Sequence, residues 1–587
     1  MDANPNRPVF LLHNWPDVVS SVEALVEALL SKKGRAARNV RKAMERLCLA
    51  MAAFLDPASD GHGMRQEEEG GWSAGDGSGK LGKLRHSMEK LQEALLAWPK
   101  SARVTQEEVD ALHRDNKEFL MRFKSLVSST NRPGDWEGQR RIAFFVNSMY
   151  MRQPEATRVE SMPAFSTLTP YYSEEVILSV ETLCAQTPDG VTTLEYLQTL
   201  YPEQWTALVE RVQREMPDVD FLYNVNSSRE VGVLNSMDKR AKVELQLWAS
   251  YRAQTLARTV RGMMYYEQAV RLLAVVEAED FSQQLYRNVN MASANPLYER
   301  RGKETYVSVL QGQLRYNSAS REAASAKYTY VVSCQQHAKL LRSGKDSDRE
   351  KAKSVELLME MHPSLKVAYV EAAKDGRHYS VLIRYDQARG RIVKQYEVEL
   401  PGPILVGEGK PNNQNHAIIF TRGEAVQAID MNQDGALEDA LKVRQLLGEF
   451  DFNGGGNHAR IVGFREFVFT HDVSSIANFF SLQELSFVTS IQRFLDKPLS
   501  VRFHYGHPDI FDKVSAMTLG GISKASKGIN LSEDIFGGFN FVLRGGKATQ
   551  AEYIQVGKGR DVGLGQITGF VAKISMGNGM QARSREV

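Results

Sequence analysis

The feature that most constrains this chain is a change of hydrophobic period near residue 365. Upstream, apolar residues recur at helical spacing: "DVVSSVEALVEALLSKKG" puts Val18, Val22, Leu25, Val26 and Leu29 on one face, with Asp17 as a cap and Gly34 as a stop. Further helices are expected over 35–55, 105–129, 194–215 and 238–286, and Thr105 and Glu108 have capping-box spacing. Downstream the runs shorten to "KVAYV", "YSVLIRY", "IVKQYEVEL", "AIIF" and "AVQAI", which read as strands. The second and third, joined by a polar turn with Gly390, read as a hairpin. Strands alternating with helices predict an α/β domain.

At 587 residues the chain exceeds one ordinary core. The expected division is a helical N-terminal segment (1–55), a flexible linker (56–84), a helical lead-in (85–160) and a main domain (161–587). That main domain is helix-rich over 175–345 and has its α/β core over 365–587. A net charge of +2 offers no basic field for nucleic acid. Cys48, Cys184 and Cys334 are scattered without a CxxC pair, which argues against a disulfide framework or a zinc site. No run approaches the length of a membrane helix, and the first residues lack a signal-peptide pattern, so the chain as written is expected to be soluble.

Several tempting motifs fail on their spacing. "GSGK" at 77–80 is no P-loop, because Ala74 replaces the first glycine and Leu81 follows the lysine. "DMNQDGALEDAL" begins like a calcium loop at Asp430, Asn432, Asp434 and Gly435, yet Leu441 stands where the bidentate Glu belongs. "RFHYGHPDIF" gathers His504, His507 and Asp509, but Gly506 and Pro508 make it a turn without an obvious third metal ligand. It reads better as a rigid loop presenting imidazoles to a substrate. No GxSxG elbow supports a serine hydrolase.

Two other stretches keep two readings each. "VGEGKPNNQNHAIIF" sets Lys410, Asn415 and His416 ahead of an apolar run, either as an exposed turn or as a ligand site of the kind α/β folds hold there. "NLSEDIFGGF" sets Glu533 and Asp534 after Ser532, either as a capped helix start or as working carboxylates.

Longer blocks carry a resemblance. "RRIAFFVNSMYM", "FSTLTPYYSEEV", "LWASYRAQTLARTVRGMMYY", "KYTYVVSCQ", "GEGKPNNQNHAIIFTRGEAVQAIDMNQD", "ARIVGFREFVFT", "HYGHPDIFD", "GGISKASKGINLSEDIFGGFN" and "EYIQVGKGRDVG" follow one another in order. They resemble successive blocks of the 1,3-β-glucan synthase family, the callose synthases of plants and their fungal relatives, from about residue 140 to the end.

The resemblance implies an inverting, processive glycosyltransferase using UDP-glucose on a GT-A-like α/β domain with large helical insertions. It implies the cytoplasmic face of the plasma membrane, reached through membrane segments outside this chain. Asp534 is then the expected base and Glu533 its neighbour. Lys410, Asn415, His416, Lys327, Arg465, Lys524, Tyr171 and Glu371 are expected around the donor and its diphosphate. Asp430 joins them, and would also hold a divalent cation such as Mg2+ if one is used.

Gln555, Lys558 and Arg560 resemble a signature with which related synthases hold the acceptor, and His504, His507 and Asp509 are grouped with them. Two positions depart from the family: Asp561 replaces a tryptophan, and Glu371 replaces an aspartate. Arg258 and Arg261 share a helix face, as a solvated stripe or as phosphate contacts. A small GTPase is a candidate regulator. The competing classes are a non-catalytic scaffolding fragment and a soluble single-transfer enzyme or hydrolase, which product length would separate.

Overall fold

The computed structural model describes residues 136–149, 151–172, 174–186, 190–219, 221, 231–277, 318–402, 404, 406, 410–450, 459–471, 473–502, 510–513, 533–560 and 562–583, together with Ala24. The helices expected over 17–55 and 105–129 and the linker at 56–84 lie outside them. The chain divides into two compact units, Met1–Arg152 and Gln153–Val587. In the first, helix α1 spans Trp136–Ser148, with Arg140 bonded to Glu137 one turn away (2.8 Å).

The second unit is built on one ten-stranded mixed sheet in the order β5-β4-β3-β2-β1-β6-β9-β8-β10-β7. The strands are β1 Phe165–Pro170, β2 Tyr328–Ser333, β3 Lys366–Ala372, β4 His378–Asp386, β5 Arg391–Glu399, β6 Ala425–Ala428, β7 Gln433–Asp434, β8 Ile461–Val468, β9 Ile510–Lys513 and β10 Ala548–Lys558. β1, β2, β3, β6, β8 and β10 run the same way, while β9 lies antiparallel between β6 and β8. The chain therefore steps outward from β1 through β2 to β3 and then returns to the other side of β1 at β6. That reversal opens a crevice at the carboxyl ends of β1 and β6.

β1 and β2 are buried along their whole length, so neither shows the in-out alternation of a half-exposed strand. Their registers are fixed from Phe165↔Tyr328 to Pro170↔Ser333. On one face Thr167 and Thr169 bond the hydroxyls of Tyr328 and Tyr330 (2.6 and 3.0 Å). Phe165 meets the Tyr266 ring edge-on at 5.4 Å there. On the other face Leu168, Val331, Ala368, Leu382, Val426 and Ile461 form a continuous apolar layer. Before β6, Gly423 has φ +93°, and a Cβ there would lie 2.1 Å from the Ala164 carbonyl oxygen, so the turn requires glycine.

The connection from β1 to β2 holds the helical insertion. Its helices α2 (Thr193–Leu200), α3 (Pro202–Glu215) and α4 (Lys239–Ser250) enclose an apolar core of their own around Leu183, Leu197, Val212, Phe221, Leu245 and Trp248. The single helix expected over 194–215 is divided at Tyr201, where Pro202 starts a new helix because it lacks an N–H to continue the old one. Thr192 and Glu195 form a capping box on α2, and Asp238 caps α4. The long helix α5 (Leu256–Glu277) then packs on the Tyr266 side of the sheet, with Tyr328 donating to the Met263 carbonyl (3.0 Å).

Helix α6 (Asp346–Met361) leads into β3. The hairpin expected from "YSVLIRY" and "IVKQYEVEL" is β4–β5, with Gly390 at φ +60°. "AIIF" is not a strand: Ile418–Phe420 form a short 3-10 turn after helix α7 (Lys410–Asn415), and Phe420 plugs into the apolar layer under the sheet. An apolar run of four has no length to distinguish a strand from a buried turn. The remaining helices used below are α8 (Ser475–Glu484), α9 (Glu533–Leu543) and α10 (Leu564–Ala582). No described helix is long and apolar enough to cross a membrane.

Candidate functional site

The sheet sorts the candidate residues by edge. Tyr171 follows β1 directly. Its N–H donates to the Ser333 carbonyl (2.8 Å), its own carbonyl accepts from Asn413 Nδ2 (2.7 Å), and its hydroxyl donates to the Glu174 carbonyl (2.8 Å). Burial raises that hydroxyl's pKa, so Tyr171 is a neutral fixture at the crevice. Beside it, a cleft of about 760 Å³ is lined by Tyr172, Gln335, Lys339, Arg342, Glu371 and His378. Glu371, at the end of β3, pairs with Arg342 across this cleft (2.5 Å). Asp430 sits partly buried just past β6, on the far side of the crevice.

Lys327 precedes β2 and so stands at the opposite, amino-terminal edge. Its ammonium donates to the Glu160 and Met162 carbonyls (2.8 Å each), which makes it a strap for the loop before β1, away from the carboxyl ends of the strands.

The polar cluster before "AIIF" is neither an exposed turn nor an open ligand loop. Lys410 opens α7, Asn415 closes it, and Asn413, Gln414 and His416 are buried beneath the sheet. His416 bridges two strands, bonding Ser333 through Nε2 and Ser380 through Nδ1 (2.9 Å each). Burial pulls its pKa down to about 4, so at neutral pH the bridge is an uncharged imidazole. With Asn413 on the Tyr171 carbonyl, this cluster fixes the carboxyl ends of β1 and β2 from below.

The stretch from Asp430 to Asp434 and the stretch from Gln555 to Arg560 are brought together. β7 pairs antiparallel with β10 through Gly557↔Asp434 and Lys558↔Gln433. Asn432 and Gly559 exchange two hydrogen bonds, N–H to carbonyl at 2.6 Å and Nδ2 to carbonyl at 2.8 Å. Asp434 accepts from Arg258 (2.8 Å) and Arg261 (3.1 Å), so those arginines form neither a solvated stripe nor an open phosphate grip. Gly262 lets α5 approach, since a Cβ there would fall 2.3 Å from the Gly435 nitrogen. Gln555 is buried on β10 and pairs in register with Arg465 of β8.

Lys558 and Arg560 are cations already engaged. Lys558 Nζ lies 3.1 Å from Glu466 and 3.9 Å from Glu484, and the Arg560 guanidinium bonds Glu484. Arg560 also stacks over Phe570, 4.6 Å from the ring centroid. Burial pushes the Arg560 pKa down, but Glu484, Glu466 and Asp430 outweigh it and raise it, so the cation is held charged. Glu466 and Glu484 were not singled out in the sequence. Their one signal is that each interrupts or ends an otherwise apolar run, in "GFREFVF" and at the end of "SIANFFSLQE".

Glu533 is the first residue of α9, and Asp534 in its first turn accepts from the Ile535 N–H (3.0 Å), so a helix does start there. Ser532, Lys524, His504, His507 and Asp509 lie outside the described residues. Among the described residues no three His, Cys, Asp or Glu side chains converge as a metal would need. Asp430 lies partly buried in the field of Arg560, whose positive charge it helps to hold.

A family model described as "1,3-beta-glucan synthase component" matches residues 132–587. Among curated proteins of Arabidopsis thaliana, callose synthase 12 is 45% identical over 513 residues, covering 81% of this chain and 27% of the relative. Callose synthase 11 is 47% identical over 474 residues (78% of this chain, 26% of the relative), and callose synthase 3 is 46% identical over 493 (80% and 24%). The chain thus spans about a quarter of the length of the curated relatives it matches. With its parallel strands ending on one polar edge and this match over most of its length, the chain belongs to the 1,3-β-glucan synthase family.

Proposed function

We propose that this chain is the glucosyl-transferring region of a 1,3-β-glucan synthase, moving glucose from UDP-glucose to the 3-hydroxyl of a growing callose-type chain with inversion, on a GT-A-like domain. The observation that carries the reading is that Tyr171, Glu371, Asp430, Gln555, Lys558 and Arg560 come from four strands, or the loops just after them, and meet one edge of the sheet. α/β sheets bind ligands in the crevice at that edge, at the reversal of strand order.

In this reading the cleft beside Tyr172 takes the nucleoside end of the donor. Asp430, Lys410, Lys524 and Arg465 are assigned to the diphosphate side, and Gln555, Lys558 and Arg560 to the acceptor. His504, His507 and Asp509 are assigned to the acceptor. One in-line displacement suffices: the 3-hydroxyl oxygen bonds the anomeric carbon, its proton passes to Asp534, and UDP leaves from the opposite face. Asp534 stands in the first turn of α9, the helix that precedes β10. Glu533 is its neighbour in that turn. In the full-length protein this region works at the cytoplasmic face of the plasma membrane, held by segments outside this chain, with a small GTPase as candidate regulator.

Calorimetry of UDP and UDP-glucose on this chain and its Asp534→Asn variant, with a polymer assay in the full-length enzyme, tests the reading. Both proteins are expected to bind UDP, and the variant to lose glucan formation by about 10³-fold. Undiminished polymer from the variant removes Asp534 as base; absent UDP binding by the parent removes the donor site.

A further inference from the structure

The β4–β5 hairpin treats the charges on its two faces differently. On the face that carries Tyr379 and Val381 the cations have carboxylates: Lys394 meets Glu397 at 3.0 Å, and Arg377 meets Glu399 at 3.5 Å. On the opposite face, where Leu382 joins the apolar layer, Arg384 stands directly across from Lys366 of β3. Like charges so placed in a sheet are destabilising. Asp386 comes no closer to Arg384 than 3.9 Å, and its carboxylate already accepts from the Ala388 and Arg389 N–H groups of the turn.

Arg422 adds a third positive charge. Its backbone is fixed to β1, with its N–H donating to Ser166 Oγ (2.8 Å) and its carbonyl accepting from the same hydroxyl (2.6 Å). Its guanidinium donates to the Tyr396 hydroxyl of β5 (3.4 Å), and Tyr396 stands across from Leu382, on the same face as Lys366 and Arg384. Burial, and then the positive charges of Arg422 and Arg384, push the Lys366 pKa down to about 8. Among the described residues no carboxylate pairs with Lys366 or Arg422, so an anion that relieves this repulsion has to come from outside them.

The cluster lies away from the proposed donor crevice. Lys366 opens β3 and Arg422 precedes β6, so both stand at the amino-terminal edge of the sheet. Glu371, at the carboxyl end of the same β3, is five residues on, roughly 17 Å at the rise of a strand. Two guanidinium forks and an ammonium drawn from three separate elements match the several oxygens of a phosphate monoester better than one carboxylate.

We propose that Lys366, Arg384 and Arg422 form a binding site for a phosphate group, at the opposite edge of the sheet from the donor crevice and independent of it. The exposed Tyr396 and Val398 lie on the same face and offer apolar surface beside the phosphate. The phosphate belongs either to a free phosphorylated compound or to a phospholipid headgroup, and the chemistry that holds it is the same.

The test adds inorganic phosphate to this chain, read by phosphorus NMR line width, and measures cosedimentation with phosphatidylcholine vesicles containing about one fifth phosphatidic acid. The parent is expected to bind phosphate, and Arg384→Gln and Lys366→Met each to weaken it about tenfold. Arg389→Gln removes an exposed cation from the neighbouring turn and is expected to change nothing. Without any added anion Lys366→Met is expected to melt above the parent, because a repelled charge has gone. Should it not fold, Arg384→Gln carries the test.

Vesicle binding lost in Arg384→Gln assigns the site to a headgroup, and phosphate binding with the vesicles ignored assigns it to a free compound; either supports the site. Binding of neither probe by the parent overturns it, as does phosphate binding that survives both variants or falls equally in Arg389→Gln. A lower melting temperature for anion-free Lys366→Met, the mark of a merely structural lysine, overturns it as well. UDP affinity, measured by calorimetry, is expected to be equal in the parent and Arg384→Gln. A fall would make the cluster part of the donor site and overturn its independence, whereas absent UDP binding by the parent removes the donor crevice and leaves this site standing.

Discussion

The helical insertion and the carboxyl edge of the sheet use buried volume in opposite ways. The insertion fills its interior with Leu183, Val212, Phe221, Leu245 and Trp248 and leaves pairs such as Arg211–Glu244 in the solvent-exposed layer. The carboxyl edge buries Lys558, Glu466 and Glu484 and half-buries Arg560 and Asp434, with Arg258 stacked 3.3 Å above the Phe469 ring. Apolar burial contributes stability roughly in proportion to area, whereas buried ion pairs return little net stability for their desolvation. The insertion is therefore a region shaped for holding together, and the edge a region shaped for holding something else.

The sharpest way to break this comparison is Trp248→Ala. Removing a buried indole that packs on Trp205 is expected to destabilise the unit by about 4 kcal/mol, read as a lowered denaturant midpoint, with sugar and UDP affinities unchanged in the folded fraction. Asp434→Asn comes next. It leaves Arg258 and Arg261 facing each other without their anion, and about 3 kcal/mol of stability is expected to go together with acceptor affinity, because the Asn432–Gly559 link lies beside it.

Acid sharpens it further. His416 has a folded pKa of about 4 against an ordinary value of 6.5, so the unfolded chain binds more protons between those limits. Its contribution is complete above pH 6.5 and is lost as pH falls toward 4, on the order of 2–3 kcal/mol, and His416→Gln is expected to flatten that part of the stability profile. The smallest effect belongs to Arg342→Ala. Its pair with Glu371 is largely exposed, so less than about 1 kcal/mol of stability should change, while UDP affinity, measured by calorimetry, shifts if the cleft takes the nucleoside.

Legibility followed the same division. The β4–β5 hairpin was readable because its turn glycine and its alternation are local signals, and its outer strand is half in water. β8 and β10 carry Glu466, Gln555 and Lys558 inside buried strands, where a charged residue argues against a strand until its partner from elsewhere in the chain is known. The partners of Lys558 and Arg560 lie on β8 and α8, many residues upstream, and no spacing rule joins them. Lys327 illustrates the converse: a lysine before a strand looks like a phosphate ligand until strand direction shows which edge it occupies. The buried Asn413, Gln414 and His416 misled for a related reason, since polarity in sequence signals water only when the strands do not supply hydroxyls such as Ser333 and Ser380.

The pairing of Phe165 with Tyr328 has a consequence in time. Made from its amino end at about 5–20 residues per second, the chain leaves the edges of β1 without a neighbour for on the order of 10–30 s before β2 is made. A loop that long is closed at less entropic cost when its middle is already compact. The insertion, with its own core, can collapse in that interval and bring the two ends near each other. The helical insertion would thus set when the centre of the sheet can form, and damage to it would be felt first as a failure of nascent chains to mature.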